Sequence, residues 1–227
     1  MCQKREKLLL YLQGQTVIPV LLIDNIQSAI PLARALVKGG LKTIEITLRT
    51  PNALQAIKAI TQEVPEAIVG AGTILNTTHY EQAEQAGAKF IVSPGLSNEV
   101  INCAKNSEIP LLPGAMTPSE LMQALDKGYS YLKFFPAEAA GSLAFIQSLA
   151  SPFSEIFFCP TGGITQKSSI QWLQLPNVFC VGGSWIAPQQ LIATKDWDSI
   201  SALAHTASQL SSLKKSALDN LKLRKHY

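Results

Sequence analysis

A steady alternation constrains this chain more than any other feature. Short apolar runs alternate with stretches of helical periodicity, and the pattern repeats about every 25 residues. The strand-like runs are 16–23, 43–49, 67–73, 89–93, 110–116, 131–135, 156–159 and 178–181. Helical spacing fills 25–37, 51–62, a stretch ending near Ala86, then 98–106, 118–127, 142–150 and 167–173. Gly39-Gly40, Gly87 and Gly128 fall where helices should stop. Pro51 suits a first helical turn, where its missing N–H is no loss. A short amphipathic helix over 3–12 precedes the first strand, and apolar periodicity in 197–207 and 210–224 follows the last.

Strands that alternate with helices pair in parallel, and apolar strands covered on both faces fit that arrangement. Eight such units in 227 residues match the length of an α/β chain folded as a (β/α)₈ TIM barrel. The alternative is a doubly wound open sheet, which would usually carry G-x-G-x-x-G after its first strand; here Ile23-Asp24-Asn25 follows instead. No composition shift or linker marks a boundary. The expectation is one domain over 1–227, with the barrel core at about 16–205 and a basic helical tail at about 211–227.

Composition excludes several classes. The chain is 47% hydrophobic and 15% charged, which indicates a packed core and argues against disorder. A net charge of +3 is too small to imply nucleic acid. The basic residues gather at the ends, at Lys4, Arg5 and Lys7 and again at Lys214, Lys215, Lys222, Arg224 and Lys225. They read as solvated helix faces, without the interleaved aromatics of a single-strand binder. No apolar run reaches the length of a membrane span, and Leu8 to Leu12 is too short for a signal core. Cys2, Cys103, Cys159 and Cys180 form no CxxC pair and read as reduced thiols of a cytoplasmic protein. Cys159 and Cys180 are expected on neighbouring strands.

In such a barrel the chemistry sits where strands end. Glu45, Thr47 and Arg49 share one face of the second strand. Gly70-Ala71-Gly72-Thr73 ends the third, Ser93-Pro94-Gly95 the fourth and Pro113-Gly114 the fifth. The sixth puts Tyr131, Lys133 and Phe135 on one face. Burial favours the neutral form of an amine, which can attack a ketone and form a Schiff base; the other reading is a lysine that snorkels to water. Glu45 reads either as a proton shuttle beside Lys133 or as its partner in a core ion pair. The fork of Arg49 suits a substrate carboxylate or a rim salt bridge. Thr161-Gly162-Gly163 after the seventh strand and Gly182-Gly183-Ser184 after the eighth can bring backbone N–H groups to a phosphate, or merely relieve tight turns. His79, His205 and His226 stand at no strand end, which disfavours a metal-dependent aldolase and a Ser-His-Asp triad. The expected ligand is a keto acid that also carries phosphate, with no metal or cofactor.

These motifs, in this order, resemble the bacterial 2-keto-3-deoxy-6-phosphogluconate aldolases, which overlap with the 4-hydroxy-2-oxoglutarate aldolases. The resemblance rests on 44–50 (Ile-Glu-Ile-Thr-Leu-Arg-Thr), 69–73, 93–95, 113–114, 133–138 (Lys-Phe-Phe-Pro-Ala-Glu), 160–164 and 182–185, and covers roughly 16–205. It implies a class I aldolase on a (β/α)₈ barrel, a cytoplasmic homotrimer that needs no metal or cofactor. Lys133 would be the Schiff-base lysine and Glu45 the general acid/base. Arg49 and Thr73 would hold the pyruvate end, and Pro94 and Phe135 the pocket wall. Gly162, Gly163 and Ser184, in the loops that also carry Thr161 and Gly183, would cradle the phosphate. Leu22 stands where many relatives, though not all, carry an arginine. Two rivals remain: a phosphosugar isomerase or epimerase that uses Lys133 without a covalent step, and a non-catalytic sugar-phosphate binding protein.

Overall fold

A computed structural model describes residues 4–12 and 14–211. Cys2 and the basic tail from residue 212 onward lie outside the described residues. The first half runs α1 (Arg5–Leu12), β1 (Val17–Leu21), a 3-10 turn (Ile26–Ser28), α2 (Ala29–Lys38), β2 (Thr43–Thr47), α3 (Ala53–Glu63), β3 (Ile68–Gly72), α4 (Thr77–Gln85), β4 (Phe90–Val92) and α5 (Asn98–Asn106). The second half runs β5 (Leu111–Leu112), α6 (Pro118–Asp126), β6 (Tyr131–Phe134), α7 (Ala137–Ala140), α8 (Leu143–Leu149), β7 (Phe157–Pro160), α9 (Gln166–Gln174), β8 (Val181–Gly183), α10 (Gln189–Ala193) and α11 (Trp197–Ser208).

The fold is α/β, and among the described residues every strand pairing is parallel. Six strands form one sheet in the order β5-β4-β3-β2-β1-β8, and β6 and β7 pair as a second. The first strand thus lies beside the last, with Val17 opposite Val181. Between the two sheets stand single parallel bridges, from Gly114 to Lys133, from Phe158 to Val178 and from Thr161 to Gly182. The expectation of one uninterrupted sheet of eight therefore needs correction at these junctions. Prolines account for part of it. Pro110 and Pro113 flank β5 and donate no N–H, which cuts the strand to two residues.

Other boundaries shift for visible reasons. The run expected at 178–181 serves two neighbours in turn. Phe179 N donates to Phe158 O at 3.0 Å, and only from Val181 onward, where its N donates to Thr16 O at 2.8 Å, does the chain align with β1. Arg49 lies in a turn beyond β2 rather than in the strand. The four-residue α7 was not expected, because Pro136 and Gly141 leave room for a single helical turn.

The two faces of the strands feed two buried clusters. One lies between strands and outer helices and includes Val17, Leu21, Ile44, Ile46, Leu132 and Phe134. The other gathers Ile18, Phe90, Val92, Leu112, Tyr131, Cys159 and Cys180 with Leu8 and Leu12 of α1. Those two leucines are four apart, so one face of α1 covers this cluster. Lys4 and Lys7 tie the helix down by donating to the carbonyls of Ala104 and Glu108 at 2.7 and 2.8 Å. Cys159 of β7 shares this cluster with Cys180, which lies one residue before β8 rather than on a strand as expected.

Candidate active site

Glu45 is the middle residue of β2, and Lys133 the third of β6. The two strands are not neighbours in either sheet, yet their side chains meet. Lys133 Nζ donates to Glu45 Oε1 at 3.2 Å, and the two residues are 6% and 4% exposed. Burial removes two charges from water, so each depends on the other for compensation. The strand around Lys133 is held on both sides of the residue: its N donates to Pro113 O at 2.8 Å, and its O accepts from Ala115 N at 3.0 Å. The Phe135 ring lies 5.5 Å from the ammonium, at cation–π range, and is 39% exposed. The lysine does not snorkel to water. A Cβ on Gly72 would collide with the Glu45 carboxylate, so glycine at the end of β3 is what makes room for the pair.

Arg49 is exposed and donates from Nε to Thr47 Oγ1 at 3.1 Å. Thr47 is buried and in turn donates to Leu21 O at 2.9 Å. Among the described residues no carboxylate pairs with Arg49, which leaves the rim salt bridge without a partner. Thr73 follows β3 at φ +62°, a left-handed conformation that a β-branched side chain strongly disfavours. Pro94 is half-buried after β4, beside a shallow hollow shared with Ile74, Leu75 and Leu96. Glycine at 114 permits this approach, since a Cβ there would strike the Pro94 carbonyl.

Two loops lie side by side at the ends of β7 and β8, joined by the Thr161–Gly182 bridge. Thr161 is buried, with its N donating to Phe134 O at 2.9 Å. Gly162 and Gly163 adopt φ of +102° and +80°, which other residues rarely reach. Ser184 is exposed, whereas Gly183 is buried so close to the Trp185 ring that a Cβ would overlap it. Among the described residues no acceptor takes the N–H of Gly162, Gly163 or Ser184. Unpaired N–H groups clustered in glycine loops make an anion-binding concavity.

Sequence reasoning missed how the rim is held. The carbonyls of Leu21, Leu22, Ile23 and Asp24 each accept a side-chain hydrogen bond, from Thr47, Gln189, Thr50 and Asn52 in turn. Leu22 thus sits in a clamped segment. The only signal was threonine and asparagine at a strand end, which read equally well as capping residues. Glu138 was singled out by motif alone, and its contact with Trp172 was not foreseen. Among the described residues no group of three or more His, Cys, Asp or Glu is placed to hold a metal ion.

The family model for KDPG and KHG aldolase matches residues 10–203. A 2-dehydro-3-deoxy-phosphogluconate aldolase of Pseudoalteromonas atlantica is 48% identical over 191 residues, which covers 84% of this chain and 89% of that protein. A KDPG aldolase of Legionella pneumophila, solved with pyruvate captured at low pH as a covalent carbinolamine intermediate, superposes with a TM-score of 0.85 at 42% identity, covering 87% of this chain and 96% of that one. A 2-keto-3-deoxy-6-phosphogluconate aldolase of Zymomonas mobilis, solved with 3-phosphoglycerate, gives 0.82 at 48% identity, covering 87% and 93%.

Proposed function

The chain belongs to the KDPG and KHG aldolase family, and from that premise we propose that it cleaves 2-keto-3-deoxy-6-phosphogluconate to pyruvate and glyceraldehyde 3-phosphate, with 4-hydroxy-2-oxoglutarate as a second substrate. The observation that carries this reading is the buried Lys133–Glu45 pair, 3.2 Å apart.

The cycle closes on these two groups. Lys133 passes a proton to Glu45 and attacks the C2 carbonyl through its freed lone pair, giving a carbinolamine. Protonated Glu45 returns the proton to the departing C2 hydroxyl, which leaves as water and yields an iminium. The Glu45 carboxylate then takes the C4 hydroxyl proton as the C3–C4 bond breaks, and the bonding electrons flow into the iminium to form an enamine. Glyceraldehyde 3-phosphate departs. C3 of the enamine takes up the proton from Glu45, and water hydrolyses the resulting iminium to pyruvate and the lysine ammonium, restoring the ion pair.

Around that pair, Arg49 and Thr73 hold the carboxylate of the pyruvate half, and Pro94 and Phe135 wall the pocket. Thr161, Gly162, Gly163, Gly183 and Ser184 form the phosphate cradle, a role supported by the unpaired N–H groups of Gly162, Gly163 and Ser184. The eight strands act as one closed (β/α)₈ barrel in a single domain; the three bridges between the two sheets and the pairing of β1 with β8 support closure. A cytoplasmic homotrimer is the form that the family resemblance implies. Borohydride reduction in the presence of pyruvate tests the mechanism. A stable adduct mapped to Lys133 is expected, and a folded protein that binds phosphosugar but traps no pyruvate would overturn it.

A further inference from the structure

Trp172 on α9 is 2% exposed, and its indole Nε1 donates to Glu138 Oε1 at 2.9 Å. A buried indole N–H needs an acceptor, and a carboxylate makes the bond a charge-assisted one. Glu138 itself is exposed, so the tryptophan reaches outward to it. The main chain beside Glu138 grips the loop after β7. Ala137 N donates to Thr161 O at 2.8 Å, and Glu138 N donates to Gly162 O at 3.1 Å. Gly163 packs so tightly here that a Cβ would come within 2.8 Å of Glu138 Cβ.

These bonds fix a direction. A trans peptide is planar, with its C=O and N–H pointing opposite ways. Holding the Thr161 carbonyl therefore aims the Gly162 N–H away from α7, and holding the Gly162 carbonyl does the same for the Gly163 N–H. The bond that the Trp172 indole donates to the Glu138 carboxylate then locks α7 to α9, the helix that continues from this loop. We propose that Glu138 is a positioning residue: by holding Trp172 it keeps the Gly162 and Gly163 N–H groups aimed at the phosphate of the substrate. This inference rests on the phosphate-cradle reading above.

The test compares the two ends of the site in Glu138→Ala and Trp172→Phe. Glu138 is exposed, so its replacement opens no cavity in the core, and phenylalanine keeps an aromatic ring at 172 while removing the indole donor. Inorganic phosphate, as a competitive inhibitor of aldol cleavage, reads the cradle; the pyruvate concentration for half-maximal borohydride trapping reads Lys133 alone. Phosphate inhibition should weaken about tenfold in both variants, as expected for one lost charge-assisted hydrogen bond, while pyruvate half-saturation stays within about twofold. Glu138→Gln, which keeps an acceptor for the indole, should recover most of the phosphate affinity. Unchanged phosphate inhibition, or equal losses for phosphate and pyruvate, would overturn the positioning role. Wild-type enzyme insensitive to phosphate would remove the cradle itself, and the inference with it. A wild-type enzyme that traps no pyruvate would instead count against Lys133 chemistry, and phosphate affinity read by calorimetry in the same variants would then decide the positioning role.

Discussion

Lys133 and Glu45 are 88 residues apart in sequence and 3.2 Å apart in space, sealed from water on strands that share no ladder. Such a pair is a costly way to hold a core, because each charge loses its hydration and recovers it mainly through the other. That cost makes sense where a proton has to travel between the two.

Removal of the amine should therefore have two effects. Lys133→Ala should abolish pyruvate release and borohydride trapping. It should also leave Glu45 unpaired, destabilising the fold by about 3–5 kcal/mol in urea melts. The double variant Lys133→Met with Glu45→Leu should be inactive but less destabilised than the two single changes added together, since no lone charge remains buried. Near-normal turnover in Lys133→Ala would sink the covalent mechanism.

Glu45→Gln keeps the shape of the side chain and takes away the proton carrier. Steady-state kinetics should show kcat lowered by about 10²–10⁴ with KM little changed. A purely raised KM would mean that Glu45 only positions substrate.

The hydroxyl of Thr47 stands between Arg49 and the Leu21 carbonyl. Thr47→Val preserves the branched shape but releases the guanidinium. KM for the keto acid should rise about tenfold at nearly constant kcat, the signature of weakened ground-state binding, and Thr47→Ser should restore it. A fall in kcat at unchanged KM would place the effect on Glu45, two residues away, rather than on Arg49.

Stability should fall on the acid side partly through α6. Burial raises the pKa of Glu120, but this is outweighed by hydrogen bonds from the N–H groups of Thr117 and Met116 and the Thr117 hydroxyl, so its pKa lies below the usual carboxylate value. A group whose pKa falls on folding stabilises above its unfolded value and loses that contribution as pH drops through the folded one. Glu120→Ala should cost about 0.5–2 kcal/mol at neutral pH, the usual range for a lost cap, and the gap to wild type should narrow below the ordinary carboxylate range. A gap that stays constant from neutral to acid pH would exclude the charged cap as its source.

What could be read from the sequence follows from what is local. The alternation of strands and helices, the glycine stops and the inward face of Glu45 and Lys133 depend on neighbours a few residues away, and they are found in the structure. The pairing at the seams was not legible, because it turns on which strand the 178–183 segment leaves and which it joins. The clamp on residues 21–24 draws on Thr47, Thr50, Asn52 and Gln189, and no spacing rule links Gln189 to Leu22 across 167 residues. Glu138 could be picked out by motif, but its partner lies 34 residues on, on the far side of a strand. Contacts of this kind are set by the closed fold and leave no periodic trace.

Thr73 offers the last test, because there stability and function should pull apart. A β-branched residue at φ +62° carries strain of about 1–3 kcal/mol. Glycine accepts that conformation freely but loses more backbone entropy on folding, roughly 0.5–1 kcal/mol. Thr73→Gly should therefore be at least as stable as wild type, by about 0–2.5 kcal/mol in urea melts, once the second term is set against the first. If the hydroxyl holds the pyruvate end, the same variant should need more pyruvate for half-maximal trapping on Lys133, by about tenfold. A destabilised Thr73→Gly with normal pyruvate affinity would show that the strained threonine serves packing at the end of β3, and that the site keeps it for no chemical reason.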